Sequence, residues 1–378
     1  MGKKDSGKVV RVFSLASFLN DLGSDIIYPI WPLFVTEVLG AKMAVLGLID
    51  GLGEALVSIS QAISGYLSDK TGKRKIFIWM GYLLAFFSRI GYSFSRTWQH
   101  LIPFKVMDRF GKIRGAPRDA IVSEVSNKRN RGKNFGILRM MDNLGAVAGI
   151  LLSIFLVTVM DYRTIFLLAA IPSLFSVILI LFFIKDRNGK VGFKKIIFKG
   201  LSRNFKLFLI ISSIFSLASF SYSFLLLYAK RAIEVKTFIP VFYLLFTLTA
   251  MIVSIPFGKM SDRIGRKKVV TISYMIFGLM CIGFILLRNL AGLMILFILY
   301  GLHLGSYIPA QKALVAELSP KESIASGIGV YQMIVGLCAL PGSFIAGLLW
   351  DNFGMYFPLY FSIGLTLVSV VMLKFLGD

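Results

Sequence analysis

The sequence predicts an all-α integral membrane protein with twelve transmembrane helices in two pseudo-symmetric six-helix bundles. Three observations predict it: the length of the apolar runs, an internal repeat, and the uneven placement of basic residues. Of 378 residues, 56% are hydrophobic, and the mean hydropathy is +0.77. A soluble chain of this size carries more charge and shorter apolar runs. A spanning helix needs about 20 apolar residues. The runs place helices near 9–36, 42–67, 75–95, 98–122, 133–160 and 163–184, then near 205–231, 236–259, 267–288, 290–317, 322–350 and 353–375. The expected organisation is a first bundle over 1–184, a cytoplasmic linker over 185–206 and a second bundle over 207–378. Pro29 and Pro32 should bend the first helix, Pro309 the tenth and Pro341 the eleventh.

The repeat begins with GYLSDKTGKRK, Gly65 to Lys75, which returns as GKMSDRIGRKK, Gly258 to Lys268. Gly65 pairs with Gly258, Asp69 with Asp262 and Gly72 with Gly265, an offset of 193 residues. The same offset carries Glu124 onto Glu317 and Gly136 onto Gly329 without a gap. Two related halves follow. Each copy joins two apolar runs. An aspartate at a helix C-terminus meets a negative dipole and needs a partner. Lys73, Arg74 and Lys75 in the first copy, and Arg266 and Lys267 in the second, can supply charge. A helix N-terminus from the other half could supply more. This stretch reads as a latch, with Glu124 and Glu317 as carboxylates near the respective copies.

The net charge of +23 raises a nucleic-acid partner, and its distribution argues against one. Of 42 Lys and Arg, 27 fall in loops on one side of the predicted helices and 7 on the other. That split follows the positive-inside rule and expects both termini in the cytoplasm. The basic face could hold anionic lipid. Cys281 and Cys338 both lie in predicted helices and imply no disulfide framework. The apolar run after the basic N-terminus is too long for a signal peptide and lacks a small-residue cleavage site.

The doubled G-x-x-x-D-x-x-G-[RK]-[RK] pattern resembles the signature loop of the major facilitator superfamily of transporters. The spacing of apolar runs extends the resemblance over the whole chain. It implies two six-helix bundles that alternate access to a central cavity, no enzymatic activity and no cofactor.

Ionisable residues inside a bilayer are costly and are functional candidates by default. The first half holds Asp21 and Asp25, Asp50 and Glu54, Arg89, then Lys105, Asp108, Arg109, Lys112, Arg114, Arg118 and Asp119, with Arg139 and Asp142 on the fifth helix. The second half offers His303, Lys312 and Glu317. At about 1.5 Å per residue, Asp25, Glu54, Arg109 and Lys112 fall near mid-membrane. Arg109 with Gly115 and Ala116 resembles the superfamily's R-x-x-[Q]-G-x-G-A pattern, with Lys112 where Gln is usual. In relatives that arginine is linked to proton coupling. The alternative is a structural ion pair with Asp21, Asp25 or Asp108.

Gly136, Gly145 and Gly149 resemble the antiporter motif of drug exporters, with Ile150 where proline is usual. Small residues for close helix packing are the competing reading. NDLGSDIIYPIWP on the first helix resembles drug and tetracycline exporters, in which an acid precedes Gly and Pro. A carboxylate desolvated at mid-membrane can load and release protons. His303 could titrate near neutrality or serve as a hydrogen-bonded packing residue. No metal-ligand spacing, nucleophile–base pair or phosphate loop is visible.

The expected function is therefore secondary transport: proton-coupled export of a small organic compound, by a monomer in the cell membrane. The alternative is proton- or sodium-coupled uptake of a small organic anion, suggested by the cations of the fourth helix. A membrane sensor or enzyme is disfavoured because no output domain or catalytic set is present.

Overall fold

The computed structural model describes residues 3–126, 130–185, 202–233, 238–319 and 324–377, with residues 3–6, 62, 65, 66, 69 and 324–326 described by backbone alone. Residues 186–201 of the predicted linker lie outside the described residues. The described chain is helical throughout. In order, the helices are α1 (Lys3–Ile27), α2 (Trp31–Leu33), α3 (Met43–Thr71), α4 (Arg74–Phe94), α5 (Trp98–Phe110), α6 (Gly115–Val125), α7 (Arg131–Val159) and α8 (Tyr162–Phe183). There follow α9 (Arg203–Ala218), α10 (Tyr222–Ile233), α11 (Ile239–Ile264), α12 (Arg266–Leu286), α13 (Leu290–Leu318), α14 (Ile324–Phe353) and α15 (Phe357–Leu373). All twelve predicted segments are represented.

Three of those segments are interrupted. The first ends as α1 at Ile27 and resumes as α2 at Trp31. Pro29 lacks the amide a helix needs and disfavours helix at Tyr28, while Pro32 suits the start of the new turn. The fourth passes through a 3-10 turn, Gly111–Arg114, before α6. The seventh breaks at Ser219–Ser221, where serine side chains compete for backbone groups. In lipid every backbone polar group must be satisfied, so such breaks survive only where protein covers them.

Among the described residues, nine segments are long and apolar enough to cross a membrane unaided. The first and fourth predicted segments carry too many charges for that test, and α15 has 17 residues. Side chains such as Phe155, Phe182, Ile255 and Leu286 are more than 60% exposed. In water these faces would be a liability, whereas in a bilayer they are the lipid side. N-caps hold the ends of three helices: Asp161 for α8, Ser202 for α9 and Asn289 for α13.

The chain divides into two compact units. Unit 1 comprises Met1–Phe34, Val38–Gly40 and Ile59–Lys194. Its core joins α1, α4, α6, α7 and α8 through Phe13, Ile78, Tyr82, Ile121, Leu138, Val177 and Ile180. Unit 2 comprises Val35–Glu37, Ala41–Ser58 and Lys195–Asp378, so it includes the first half of α3. Aromatic pairs fill it: Phe215 stacks on Tyr274 at 3.7 Å, and Phe242 on Phe297 at 4.8 Å.

Candidate functional site

In unit 1, the polar face of α1 carries Ser17, Asn20, Asp21, Ser24 and Asp25, three or four residues apart from one turn to the next, and Tyr28 follows in the turn just past the helix. That spacing puts them on one stripe. The stripe meets the cations of α5 and α6. Arg109, with an 11% exposed side chain, places its Nε 3.6 Å from an oxygen of Asp108. Its guanidinium reaches Tyr28, just past the end of α1, with Nη1 3.5 Å from the hydroxyl and the carbon 5.4 Å from the ring centre. Asp25 lies one turn before Tyr28 and is 9% exposed. Ser24, Tyr28, Trp31, Arg89, Lys105 and Asp108 line a cavity of about 10 Å³. That is room for about one water molecule in a polar setting. Lys105 is buried there, with its ammonium 4.0 Å from the Trp31 ring centre.

Arg89 on α4 is fully enclosed at 1% exposure. Nη1 donates to the Ala169 carbonyl at 2.8 Å and to the Ser173 hydroxyl. Nη2 donates to the Asn20 carbonyl at 3.0 Å and to Ser24 Oγ at 2.8 Å. The guanidinium thereby ties α4 to α1 and α8. Arg118 forms a second hub. It donates to Ser17 at 2.7 Å and Asp119 at 3.0 Å, and lies 3.6 Å from Asp142 on α7. Arg139 approaches the same Asp142 at 4.0 Å from a largely exposed position. Asn20 Nδ2 donates to Asp21 at 3.1 Å.

The glycines of α7 have a direct steric role. A Cβ at Gly145 would lie 2.3 Å from the Phe18 carbonyl oxygen, and one at Gly149 would lie 2.4 Å from that of Leu22 and 3.1 Å from the Asp25 Cβ. Only hydrogen fits where α1 crosses α7 this closely. A Cβ at Gly136 would meet nothing within 4 Å.

Asp50 and the backbone of Glu54 belong to unit 2. Asp50 is 7% exposed and accepts from Ser221 Oγ at 2.7 Å and Ser223 Oγ at 2.6 Å. Both serines sit at the start of α10, where the seventh segment is broken. Discontinuous helices of this kind commonly mark transporter binding sites. Glu54 is exposed one turn further on. His303 is 1% exposed. Its Nδ1 lies 2.9 Å from the Ser273 carbonyl, which can only accept, so this nitrogen carries the proton. Nearby, Gln311 donates to the hydroxyls of Tyr307 and Tyr331. Ser221, Ser223 and Tyr331 escaped the sequence reading. The serine pair had a signal, alternate serines inside an apolar run.

The latch residues form two comparable arrangements. Gly72 and Gly265 both adopt positive φ, +69° and +100°, a conformation that explains glycine at both positions of the repeat. Arg74 contacts Glu124 within unit 1. Within unit 2, Arg266 donates to Glu317 at 3.0 Å and lies 3.6 Å from Asp262. The 193-residue offset maps Arg74 onto Lys267, yet Arg266 holds the second glutamate and Lys267 donates to the Leu376 carbonyl. A Cβ at Gly258 would only touch Pro309, at 4.0 Å. Lys73 is exposed. The side chain of Asp69, and Gly65 beyond its backbone, lie outside the described residues. Among the described residues, no group of His, Cys, Asp and Glu could hold a metal ion.

The model of the Major Facilitator Superfamily matches residues 13–244 and 208–378. An uncharacterized MFS-type transporter of Methanocaldococcus jannaschii is 38% identical, over 99% of this chain and 96% of its own length. The multi-drug resistance efflux pump PmrA of Streptococcus pneumoniae is 24% identical, over 93% of this chain and 91% of its own. Among solved structures, the nucleoside transporter NupG aligns with a TM-score of 0.82 at 13% identity, covering 98% of this chain and all of that one. A POT family transporter in complex with 5-aminolevulinic acid aligns with a TM-score of 0.81 at 14% identity, covering 97% and 94%. Twelve helical segments, a latch loop repeated at 193 residues and a family match across the chain lead to one assignment: the protein is a multi-pass membrane transporter of the major facilitator superfamily.

Proposed function

We propose that this secondary transporter exports a small organic compound in exchange for protons, and that Asp25, Asp108 and Arg109 form its proton-responsive group. The observation that carries the reading is Arg109, enclosed and placed against Asp108 while it reaches Tyr28 one turn from Asp25. Burial disfavours a charged carboxylate and a neighbouring guanidinium favours it. Movement of the arginine would therefore load or release a proton. The distant similarity to a multidrug efflux pump supports export. In this reading Glu124 and Glu317, with Arg74 and Arg266, hold latches on the cytoplasmic face, and both termini lie in the cytoplasm of a plasma-membrane protein that works as a monomer.

A second reading, coupled uptake of an organic anion, is favoured by the density of buried cations at Arg89, Lys105 and Arg114 in unit 1. The two readings separate experimentally. A thermal-shift screen of purified protein at two pH values identifies ligands, because a ligand stabilises the state it binds. Asp25→Asn and Asp108→Asn are then compared in proteoliposomes under an imposed proton gradient. At least one should keep ligand stabilisation while losing its pH dependence between roughly pH 5 and 8. Arg109→Ala should abolish gradient-driven transport. Full pH-dependent transport in both aspartate variants and in Arg109→Ala would sink the coupling assignment. Accumulation of an anion inside right-side-out vesicles would favour uptake.

A further inference from the structure

Unit 2 contains a cavity of about 310 Å³, lined in part by Glu37, Lys42, Lys230, Arg231, Trp350 and Asp351. That is the lower end of the size range of small-molecule pockets. Three of its lining residues are basic, and all three belong to the seven Lys and Arg on the sparsely charged side of the chain. Membrane insertion selects against basic residues on that side. Their concentration in one cavity therefore calls for a local cause.

The acids of the cavity do not neutralise all three. Glu37 contacts Lys230. Asp351 accepts from the backbone amides of Met43, at 3.1 Å, and Ala44, at 2.8 Å, and so caps the start of α3. Among the described residues, neither Lys42 nor Arg231 has a carboxylate partner within salt-bridge distance. Arg231 instead lies over Trp350, 5.2 Å from its ring centre. Trp350 is 5% exposed, and its indole nitrogen has no acceptor among the described residues. An indole N–H can only donate. Two cations with no carboxylate partner among the described residues, and one enclosed donor, all call for the same complement, a negatively charged oxygen.

We propose that this cavity is a binding site for a small oxyanion, a carboxylate or phosphate, held by Lys42 and Arg231 with the Trp350 N–H as an additional donor. Charge-assisted bonds from a planar guanidinium suit both anions. The site is independent of the direction and coupling proposed above. Its residues are also those that pair Glu37 with Lys230 and cap α3 with Asp351, so an occupant would bear on both contacts.

The test uses the full chain in nanodiscs of phosphatidylcholine. Inorganic phosphate is titrated at constant ionic strength against sodium chloride, and intrinsic tryptophan fluorescence is followed. A parallel set uses nanodiscs containing phosphatidylglycerol without added phosphate. A saturable change that disappears in Trp350→Phe, and is about tenfold weaker in Lys42→Gln and Arg231→Gln, is expected in at least one arm. Arg288→Gln, which removes an exposed cation on the same side, should leave it intact. Response to free phosphate identifies a soluble anion, and response to phosphatidylglycerol alone identifies a lipid headgroup. Should Arg231→Gln fail to fold, Arg231→Lys keeps the charge and should retain weakened binding. A lack of saturable response in both arms, or an undiminished response in Lys42→Gln and in whichever Arg231 variant folds, overturns the assignment.

Discussion

Arg89→Met tests whether the enclosed guanidinium is there to hold helices together. The substitution keeps an unbranched apolar stem and removes the charge. It deletes five bonds from α4: to the Ala169 carbonyl, the Ser173 hydroxyl, the Asn20 carbonyl and side-chain oxygen, and the Ser24 hydroxyl. Polar contacts between membrane helices average about 0.6 kcal/mol each, so five come to about 3 kcal/mol. The opposing effect is relief of desolvation, since a buried guanidinium costs several kcal/mol unless its hydrogen bonds are well made. Here both terminal nitrogens have partners, two of them at 2.8 Å. The bonds should therefore prevail, with a net loss smaller than that total, about 1–2 kcal/mol. Unfolding of the purified protein by graded denaturing detergent measures it. Arg89→Lys should fall between the wild type and Arg89→Met, because one ammonium cannot span acceptors on both α1 and α8 as a fork does. Unchanged or increased stability in Arg89→Met would refute the reasoning and mean that the desolvation cost exceeds the bonds.

Asp50→Ala leaves the half-buried Ser221 and the buried Ser223 hydroxyls without their carboxylate, and a buried donor so stranded, as at Ser223, costs about 1–3 kcal/mol. Hydrogen exchange should rise over residues 221–229 and stay unchanged over 15–30. Glu124→Ala should destabilise more than Glu317→Ala, because Arg74 is buried whereas Arg266 and Glu317 are 33% and 55% exposed. The first should cost about 1.5–3 kcal/mol and the second about 0–1 kcal/mol, so equal shifts in unfolding midpoint would contradict this ranking. Asp161, the exposed cap of α8, is held below the usual carboxylate range by the Thr164 hydroxyl and amide. A lowered folded-state value means stability that is full above the unfolded pKa, near 4, and lost as pH falls through the folded one. Asp161→Ala should cost about 0.5–1 kcal/mol at neutral pH, and the difference from wild type should vanish in acid, as pH-dependent unfolding curves would reveal.

Much of the architecture was legible because a spanning helix is a local decision. In lipid each backbone group must find its partner within the same segment, so run length alone reveals the helix. The latch loops were legible for a different reason: a duplicated chain writes its structural demands twice. Gly72 and Gly265 recur because both sites need positive φ. The interruptions were partly visible. Pro29 and Pro32 announced the first, whereas Gly111 and the serines around Phe220 gave weaker signals.

Partnership among side chains was decided by tertiary packing alone. Asp50 and Asp25 look equivalent in sequence, each an acid on an apolar helix with a second acid four residues away. In the fold Asp50 caps the serines of α10 in unit 2, while Asp25 packs against Gly149 beside the arginine cluster of unit 1. The repeat likewise equates Arg74 with Lys267, and the second half turns its neighbour Arg266 to the glutamate instead. A helix advances about 100° per residue, so a small change in rotation or crossing gives a different side chain the inward position. Sequence determines which residues must leave water. Which of them meet depends on helix rotation and on contacts hundreds of residues apart, such as Asp351 with the first amides of α3.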